Sequence, residues 1–134
     1  MSFQELSDTL LKLSREIDNG KSAKKFLRKS GSKLKKKTIE QAQKSVKRYT
    51  GTYIKSIKRG KVYDFKGNLS IRTYSASPHA HLIESGHRTV TPSGVEKGYK
   101  AGYHVFEKAA KEFEEELIED TETFIQELLD DNDL

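Results

Sequence analysis

The last thirty residues of the chain carry a hydrophobic pattern with a helical period. Large and small apolar residues recur at intervals of three and four, which places them on one stripe of a helix: Phe106, Ala110, Phe113, Leu117, Phe124 and Leu128, flanked by Ile118, Ile125 and Leu129. The spacing predicts a helix of about seven turns from near His104 to Leu129. A helix of this length exceeds what a small core needs, so we expect its far end to pack on another subunit.

Charge is divided unevenly along the chain. Residues 1–61 hold 18 basic and 5 acidic residues, residues 62–104 hold 5 and 3, and residues 105–134 hold 2 and 12. The net charge of +5 therefore conceals a basic front and an acidic end. The two attract each other within one chain or head to tail between copies, and the second arrangement builds rings or stacks. Two solvated helix faces of opposite sign are the alternative.

Composition excludes several classes of protein. A length of 134 residues corresponds to one domain, and 34% hydrophobic residues predict a lean core. The absence of cysteine removes disulfides, thiol catalysis and cysteine-based metal centres. No apolar run approaches the ~18 residues that span a bilayer, and the start lacks the pattern of a secretory signal. We therefore expect a soluble intracellular protein with no membrane partner.

Two helices are predicted in the basic helical part, residues 1–48. The first lies between a Ser2–Glu5 capping box and a left-handed stop at Asn19–Gly20, and its stripe consists of Phe3, Leu6, Leu10, Leu13 and Ile17. The second runs from near Ser22 toward Arg48 and places on one stripe Leu34, Thr38, Ala42 and Val46. Gly31 costs this helix about 1 kcal/mol relative to alanine, which predicts a break or kink at residues 30–32.

Residues 49–85 are rich in β-branched and aromatic residues, which predicts a small antiparallel β-sheet. Its strands cover residues 53–57, 62–65 and 69–73, and a hairpin turn is indicated at Lys66-Gly67-Asn68. Gly51 is expected to separate the basic helix from the first strand, with Ile54 and Ile57 on the inner face of the sheet. Glycine and proline are frequent in residues 86–102, which predicts a flexible loop.

The predicted fold is a single α+β domain over residues 1–134. It has N-terminal helices, a small antiparallel β-sheet, a long loop, and a long acidic C-terminal helix, residues 103–130, packed on the sheet.

One cluster resembles a metal site by composition, namely His79, His81, Glu84 and His87. An H-x-H pair on a strand points both imidazoles to one side. The spacing matches no standard metal signature, so polar residues at a turn or interface are the preferred interpretation. We predict no metal and no cofactor.

Catalytic motifs are also missing from the sequence. It contains neither a G-x-S-x-G elbow nor a glycine-rich phosphate loop. The carboxylates at Glu112 and Glu114 to Glu116 form a run on a solvated helix face rather than a convergent pair. We therefore expect no enzymatic activity.

Nonspecific nucleic-acid binding is the alternative function. Basic residues are dense between residues 33 and 61, with tyrosines interleaved, so phosphate neutralisation and base stacking are both available. The residues concerned are Lys33, Lys35, Lys36, Lys37, Lys44, Lys47, Arg48, Lys55, Lys58, Arg59 and Lys61, with Tyr49, Tyr53 and Tyr63. No helix-turn-helix, RRM or zinc-finger pattern supports specific readout.

Three short motifs add a resemblance to a known family. Residues 49–57, YTGTYIKSI, resemble the "TG-x-L-x-x-SI" signature of a tail-component family of long-tailed bacteriophages, with Tyr53 in place of the usual Leu. Residues 79–87, HAHLIESGH, are similar to its "YA-x-x-(V/I)E-(F/Y)-G-T" segment, with His79, Ser85 and His87 as departures. Residues 103–110, with Phe106, Ala109 and Ala110, are similar to its "F-x-x-pA" start of the last helix. The matches span residues 49 to about 113.

The resemblance implies a non-enzymatic virion protein of the phage neck or tail end. Such a protein acts in tail completion and in joining the tail to the DNA-filled head, and it is made in the host cytoplasm as soluble subunits. The expected partners are further copies of the chain, in a ring that is commonly six-fold, and other neck, tail-tube or head-closure proteins. Transient proximity to phage DNA is also implied. No catalytic residues carry over.

Two hypotheses concern contacts in such an assembly. The loop 87–102, with Arg88, Lys97, Tyr99 and Lys100, is the first candidate for a partner-binding segment that orders against a neighbour. The acidic final helix could line a DNA passage, where its carboxylates would repel phosphate. An outward solvated face is the alternative for that helix.

Overall fold

The computed structural model describes residues 3–45, 50–65, 68–78, 80–90 and 96–132. Their elements, in chain order, are α1 (Phe3–Asp18), α2 (Lys21–Ser45), α3 (Thr50–Ser56), β1 (Ile57–Arg59), β2 (Tyr63–Phe65), β3 (Asn68–Ser70), β4 (Thr73–Ser75), α4 (Ala80–Ser85), β5 (Gly86–Val90), β6 (Glu96–Ala101) and α5 (Val105–Asp131). The α+β class is confirmed, with helices at the N-terminus, short antiparallel strand pairs in the middle and one long helix at the end.

The long helices α1, α2 and α5 pack against one another. Leu10, Phe26 and Ile125, one from each helix, form a buried cluster, and the ring of Phe26 stacks on that of Phe124 with centroids 4.8 Å apart. The predicted C-terminal helix is confirmed, although its buried face includes Ala109 rather than the neighbouring alanine. It packs chiefly on α1 and α2 rather than on the sheet, and its far end, with Ile125 buried, packs within the chain rather than on another subunit. Among the described residues, no helix is long and apolar enough to cross a membrane.

The predicted turn between α1 and α2 is confirmed. Asn19 and Gly20 both have positive φ, 58° and 86°. The buried Ser14 hydroxyl accepts a hydrogen bond from the Ala23 N–H (3.0 Å) and donates one to the Asp18 carboxylate (3.1 Å). Hydrogen bonds from Ser22, above all from its hydroxyl, and from Ser14 lower the pKa of Asp18. The capping box at Ser2 lies outside the described residues.

Gly31 does not break α2, which is continuous from Lys21 to Ser45. The prediction of a break is wrong because the glycine serves close packing against the helix rather than ending it. A Cβ at this position would lie 3.0 Å from Arg59 Cγ and 3.0 Å from Ile71 Cδ1, both of which belong to the segment that packs across the helix. The missing side chain therefore lets strands β1 and β4 approach α2 closely.

Strands β1 to β4 form one long antiparallel hairpin with an irregularity in its middle. Ile57 pairs with Ser75 at its base, and Tyr63 pairs with Ser70 nearer the tip. Between these two ladders the Gly60 N–H donates to the Arg72 carbonyl (2.8 Å). The predicted hairpin is confirmed, while residues 66–67 of its turn lie outside the described residues.

The first predicted strand is instead helix α3. Only Ile57 of that predicted strand is extended, as the first residue of β1, and it is buried together with Tyr53 of α3, Ala42 and Val105. Gly51 lies inside α3 and does not separate a helix from a strand. Neither the β-branched composition nor the glycine revealed this packing.

The predicted flexible loop 86–102 contains a second hairpin, so that prediction is wrong for residues 86–90 and 96–101. Strands β5 and β6 pair from Gly86 and Ala101 at the base to Val90 and Glu96, with a register shift at Thr89/Val90. Glycine is tolerated here because the ladder depends on backbone hydrogen bonds, and Gly98 pairs directly with Thr89. Residues 91–95 lie outside the described part.

Replacing Ser14 by alanine tests the turn between α1 and α2. The substitution leaves the Ala23 N–H buried without its acceptor, which costs about 1–3 kcal/mol. We expect Ser14→Ala to lower the free energy of unfolding in urea by that amount. Thr9→Ala is the control, since the Thr9 hydroxyl only bonds to the Glu5 carbonyl of its own helix, and its effect should stay within about 0.5 kcal/mol. Equal effects of the two substitutions would contradict the assignment.

Candidate functional site

The second hairpin is held at the point where α5 begins. His104 precedes α5 in a left-handed conformation, φ 51°, and its side chain makes no cap. Glu84 of α4 supplies the missing acceptors, because its two carboxylate oxygens accept from the N–H groups of Phe106 (2.9 Å) and Glu107 (3.2 Å). An anionic group here also lies at the positive end of the α5 dipole. Glu84 thus ties α4 to α5 on either side of the hairpin.

Backbone hydrogen bonds reinforce this junction. The Tyr103 N–H donates to the Ile83 carbonyl (2.8 Å), and the His104 N–H donates to the Glu84 carbonyl (3.1 Å). Two carbonyls and one carboxylate of α4 therefore accept hydrogen bonds from the segment that leads from β6 into α5 and from the first turn of that helix. The base of the hairpin is fixed in position, whereas its only substantial contact beyond its own ladder, within the described residues, is with α4.

Gly102 permits the closest backbone approach in this junction. A Cβ at Gly102 would lie 2.6 Å from both the Gly86 nitrogen and the Ser85 carbonyl carbon, and closer still to the Glu84 carbonyl oxygen. These are backbone atoms and cannot rotate away. Gly86, which opens β5, has φ 89°, a value that side chains other than glycine rarely adopt. The entry and exit of the hairpin therefore both require glycine.

Tyr53 lies beneath the junction, and only 1% of its surface is exposed. Its ring packs in the cluster with Ile57 and Val105. The hydroxyl has no hydrogen-bond partner among the described residues. Burial, with a smaller contribution from the Glu84 carboxylate, raises the pKa of Tyr53 to about 12. The family that the sequence resembles has Leu at this position, and the tyrosine brings a polar group that the core does not satisfy.

The four predicted contact residues all lie in the second hairpin. Arg88 is in β5, and the register pairs it with Tyr99 of β6. Lys100 pairs with His87, while Lys97 is the additional residue at the register shift. The structure thus places Arg88, Tyr99 and Lys100 at adjacent positions of one β-ladder rather than in the predicted flexible loop. Their role in binding a partner stays a prediction.

The cluster that resembles a metal site by composition lacks the strand geometry considered for it. Residues 80–85 are helix α4 rather than a strand, so the expected H-x-H geometry at His81 is wrong. His81 is exposed, and Glu84 is engaged at the start of α5. His79 lies outside the described residues. Within the described ranges, no group of three or more metal-ligating side chains could hold an ion.

The capping role of Glu84 could not be predicted from the sequence, in which the residue stood out only as a candidate metal ligand. A capping carboxylate normally belongs to the residue just before a helix. Glu84 precedes α5 by about twenty residues, so spacing gave no signal. Its place beside Gly86 in a family motif was the available clue.

The oppositely charged helices α2 and α5 bind each other within one chain. Lys33 Nζ lies 2.6 Å from Asp120 Oδ2 and 3.7 Å from Glu116 Oε1, and Lys37 Nζ lies 3.3 Å from Glu116 Oε2. The hydrogen bond to Asp120 is the main cause of the raised pKa of Lys33. The basic front and the acidic end therefore attract each other within the protomer at this seam.

The family model "Bacteriophage HK97-gp10, putative tail-component" matches residues 4–86. The chain belongs to this HK97-gp10-like family. The resemblance to a phage tail-component family is confirmed, and the match covers the first two motifs, with Tyr53 and Glu84, whereas the third motif at residues 103–110 lies beyond it. No curated protein and no solved structure matches the chain.

Membership gives the chain a structural role in the phage tail and places it in the virion. The match ends at Gly86, where β5 begins, so the second hairpin and α5 lie beyond it. The matched segment therefore ends at the junction, and the hairpin follows it directly along the chain.

Gly102→Ala should destabilise this junction of the HK97-gp10-like chain. The new methyl group would overlap backbone atoms of α4 and β5, and overpacking of this kind costs about 1–3 kcal/mol or more. Gly51→Ala is the matched control, because a Cβ there meets nothing within 4 Å and a helical position gains about 0.5–1 kcal/mol. Urea unfolding of both variants should show opposite signs. A neutral Gly102→Ala would show that the junction is looser than described.

Tyr53→Phe should stabilise the protein by about 1 kcal/mol, since it removes a buried hydroxyl without a described partner. The tyrosine ionises near pH 10 in the unfolded chain and about 12 in the folded one. Between pH 10 and 12 the unfolded chain therefore gives up a proton that the folded chain keeps, so the free energy of unfolding of the wild type falls as the pH rises through this range. Unfolding of wild type and variant across this range should show the steeper loss in wild type. Parallel pH profiles would contradict the burial of this hydroxyl.

Proposed function

We propose that the chain completes the phage tail and joins it to the DNA-filled head, as a subunit of a ring at the neck. The ring has six copies in this proposal, and the flanking partners are head-closure and tail-tube proteins. The role needs no chemical step. Family membership supports the structural role, and the observation that carries the contact function is the hairpin of β5 and β6 on its doubly bonded base.

A rigid base with few other contacts suits a segment that binds a neighbouring protein. The junction fixes where β5 leaves and β6 returns, so the hairpin meets a partner in a defined direction and loses little entropy at its root. Arginine and tyrosine, the types of Arg88 and Tyr99, are enriched at interface centres. Lysine, the type of Lys100, is depleted at the centre and suits the polar rim. The proposal therefore assigns partner binding to the hairpin and positioning to Glu84.

Inactivating the gene tests the role in joining. We expect infected cells to accumulate filled heads and separate tails, visible by electron microscopy of lysates. Expression of the chain from a plasmid should restore joined particles. Normal infectious particles without the protein would overturn the proposed function.

Substituting the hairpin residues tests the contact itself. The quadruple variant Arg88→Ser, Lys97→Ser, Tyr99→Ser and Lys100→Ser should fold normally by circular dichroism but lower incorporation into particles about 100-fold, because each 1.4 kcal/mol of lost contact is tenfold in affinity. The control variant Lys12→Ser, Lys36→Ser and Lys108→Ser removes three exposed cations elsewhere. Equal incorporation of the two variants, measured by mass spectrometry of purified particles, would exclude the hairpin as the contact.

A further inference from the structure

A cleft of about 340 Å³ lies between α2 and the segment after β1, and cations line it. This basic groove consists of Lys24, Arg28, Arg59 and Lys61. The Arg59 guanidinium donates to the Arg28 carbonyl (3.2 Å), which holds it at the groove, and Lys24, Arg28 and Lys61 are exposed. Within the described part of the chain, no ion pair joins the four cations to a carboxylate. Their mutual repulsion favours an anionic occupant.

The same chain presents an anionic surface whose charges are spaced by one helical turn, like those of the groove. Glu115, Glu119 and Glu122 recur at four and three residues along α5, so they share one helix face, and all three are exposed. This acidic ridge lies roughly 100° around α5 from the edge that binds α2 through Glu116 and Asp120. One turn separates Glu115 from Glu119, about 6 Å, as it does Lys24 from Arg28 in the groove.

The groove and the ridge cannot meet within one molecule. Lys24 precedes Lys33 by nine residues, and Arg28 precedes Lys37 by nine. Nine residues are two and a half helical turns, so Lys24 and Arg28 lie about 180° around α2 from the two lysines that bind α5. The groove therefore opens on the far side of α2 from α5, and only another molecule can bring a carboxylate ridge to it.

We propose that the basic groove of one copy binds the acidic ridge of the next copy, head to tail. Two different patches of opposite sign make a heterologous contact, which repeats from copy to copy and closes into a ring when the rotation allows. The seam between α2 and α5 shows that helices of this composition pair through their charges. The inference rests on the proposed function, because it supplies the contact by which copies assemble.

Phosphates of a nucleic acid are the competing occupant of the groove. The observations favour a second copy, because the chain itself carries the complementary ridge at the same helical rise. In addition, Lys33 and Lys37, two of the cations expected to serve a nucleic acid, are committed to α5. A ridge bound by a neighbour is also unavailable to line a DNA passage.

Zero-length cross-linking of the full chain tests the contact directly. A carbodiimide joins a lysine to a carboxylate only where the two touch, and a mixture of isotopically light and heavy protein marks links between copies. We expect links from Lys24 or Lys61 to Glu115, Glu119 or Glu122 between light and heavy copies at low salt. They should fall at least about tenfold at 1 M salt, where the screening length is about 3 Å. The Lys33–Asp120 pair provides an internal positive control within one chain.

Reversing charge on each side tests complementarity. The groove variant Arg28→Glu with Lys61→Glu and the ridge variant Glu115→Lys with Glu119→Lys should each lose the links between copies. An equimolar mixture of the two should recover them, because each reversed surface then meets its complement. Lys12→Glu with Lys36→Glu is the matched control for the groove variant, since it changes the net charge by the same amount, and it should keep the links. Circular dichroism of each variant confirms folding.

Four results would overturn the inference. Wild type that yields only links within a chain excludes the contact, as does a mixture no better than its separate variants. Duplex DNA retained by wild type but not by the groove variant, without links between copies, would assign the groove to nucleic acid. Measuring incorporation into particles distinguishes failure of this inference from failure of the proposed function. If gene inactivation abolishes joining but the groove variant and the ridge variant both enter particles at the wild-type level, the inference alone is excluded. If joining is normal without the gene, the proposed function alone is excluded.

Discussion

The seam between α2 and α5 determines how the rest of the molecule is arranged. The core is lean, with small buried clusters such as that of Leu10, Phe26 and Ile125, so the two long helices also use their opposite charges to pack. Lys33 and Lys37 face Glu116 and Asp120, and this choice fixes the orientation of both helices about their axes. Every other charged face then follows from helical geometry. The basic groove opens behind α2, and the acidic ridge turns outward on α5.

The junction at Glu84 makes the C-terminal helix part of the same body as the middle of the chain. One carboxylate accepts from the first free N–H groups of α5, and the adjacent α4 carbonyls bind the segment before it. Because the donors belong to α5 and the acceptors to α4, the hairpin of β5 and β6 enters and leaves at one tied point. Tyr53 lies under this point with its hydroxyl buried, so the core is less well satisfied there than a leucine would leave it.

Local patterns predicted much of this fold, and long-range contacts account for the failures. The helix period located α1, α2 and α5 closely, and Asn19 and Gly20 marked a true stop because positive φ is a local property. Gly31 was misinterpreted because its function is to admit β1 and Ile71, which are distant in sequence. Residues 53–57 were predicted to be a strand from their composition, whereas residues 53–56 belong to helix α3, in which Tyr53 is buried against Val105. The residues of β5 and β6 were assigned to a loop from their composition, because strand pairing leaves no trace in a glycine-rich segment. Glu84 was not recognised as a cap, because its partners lie about twenty residues ahead.

Contacts made through exposed charge suit a protein that assembles on a particle rather than alone. A single surface ion pair contributes about 0–1 kcal/mol, so one groove binding one ridge is weak in dilute solution. A copy within a ring makes the contact twice, once through each patch, and a template raises the effective concentration of its neighbours. The same weak contacts therefore act together only where the copies are gathered. Under the proposed head-to-tail arrangement, the contact is weak between free subunits and becomes effective where a tail end gathers them.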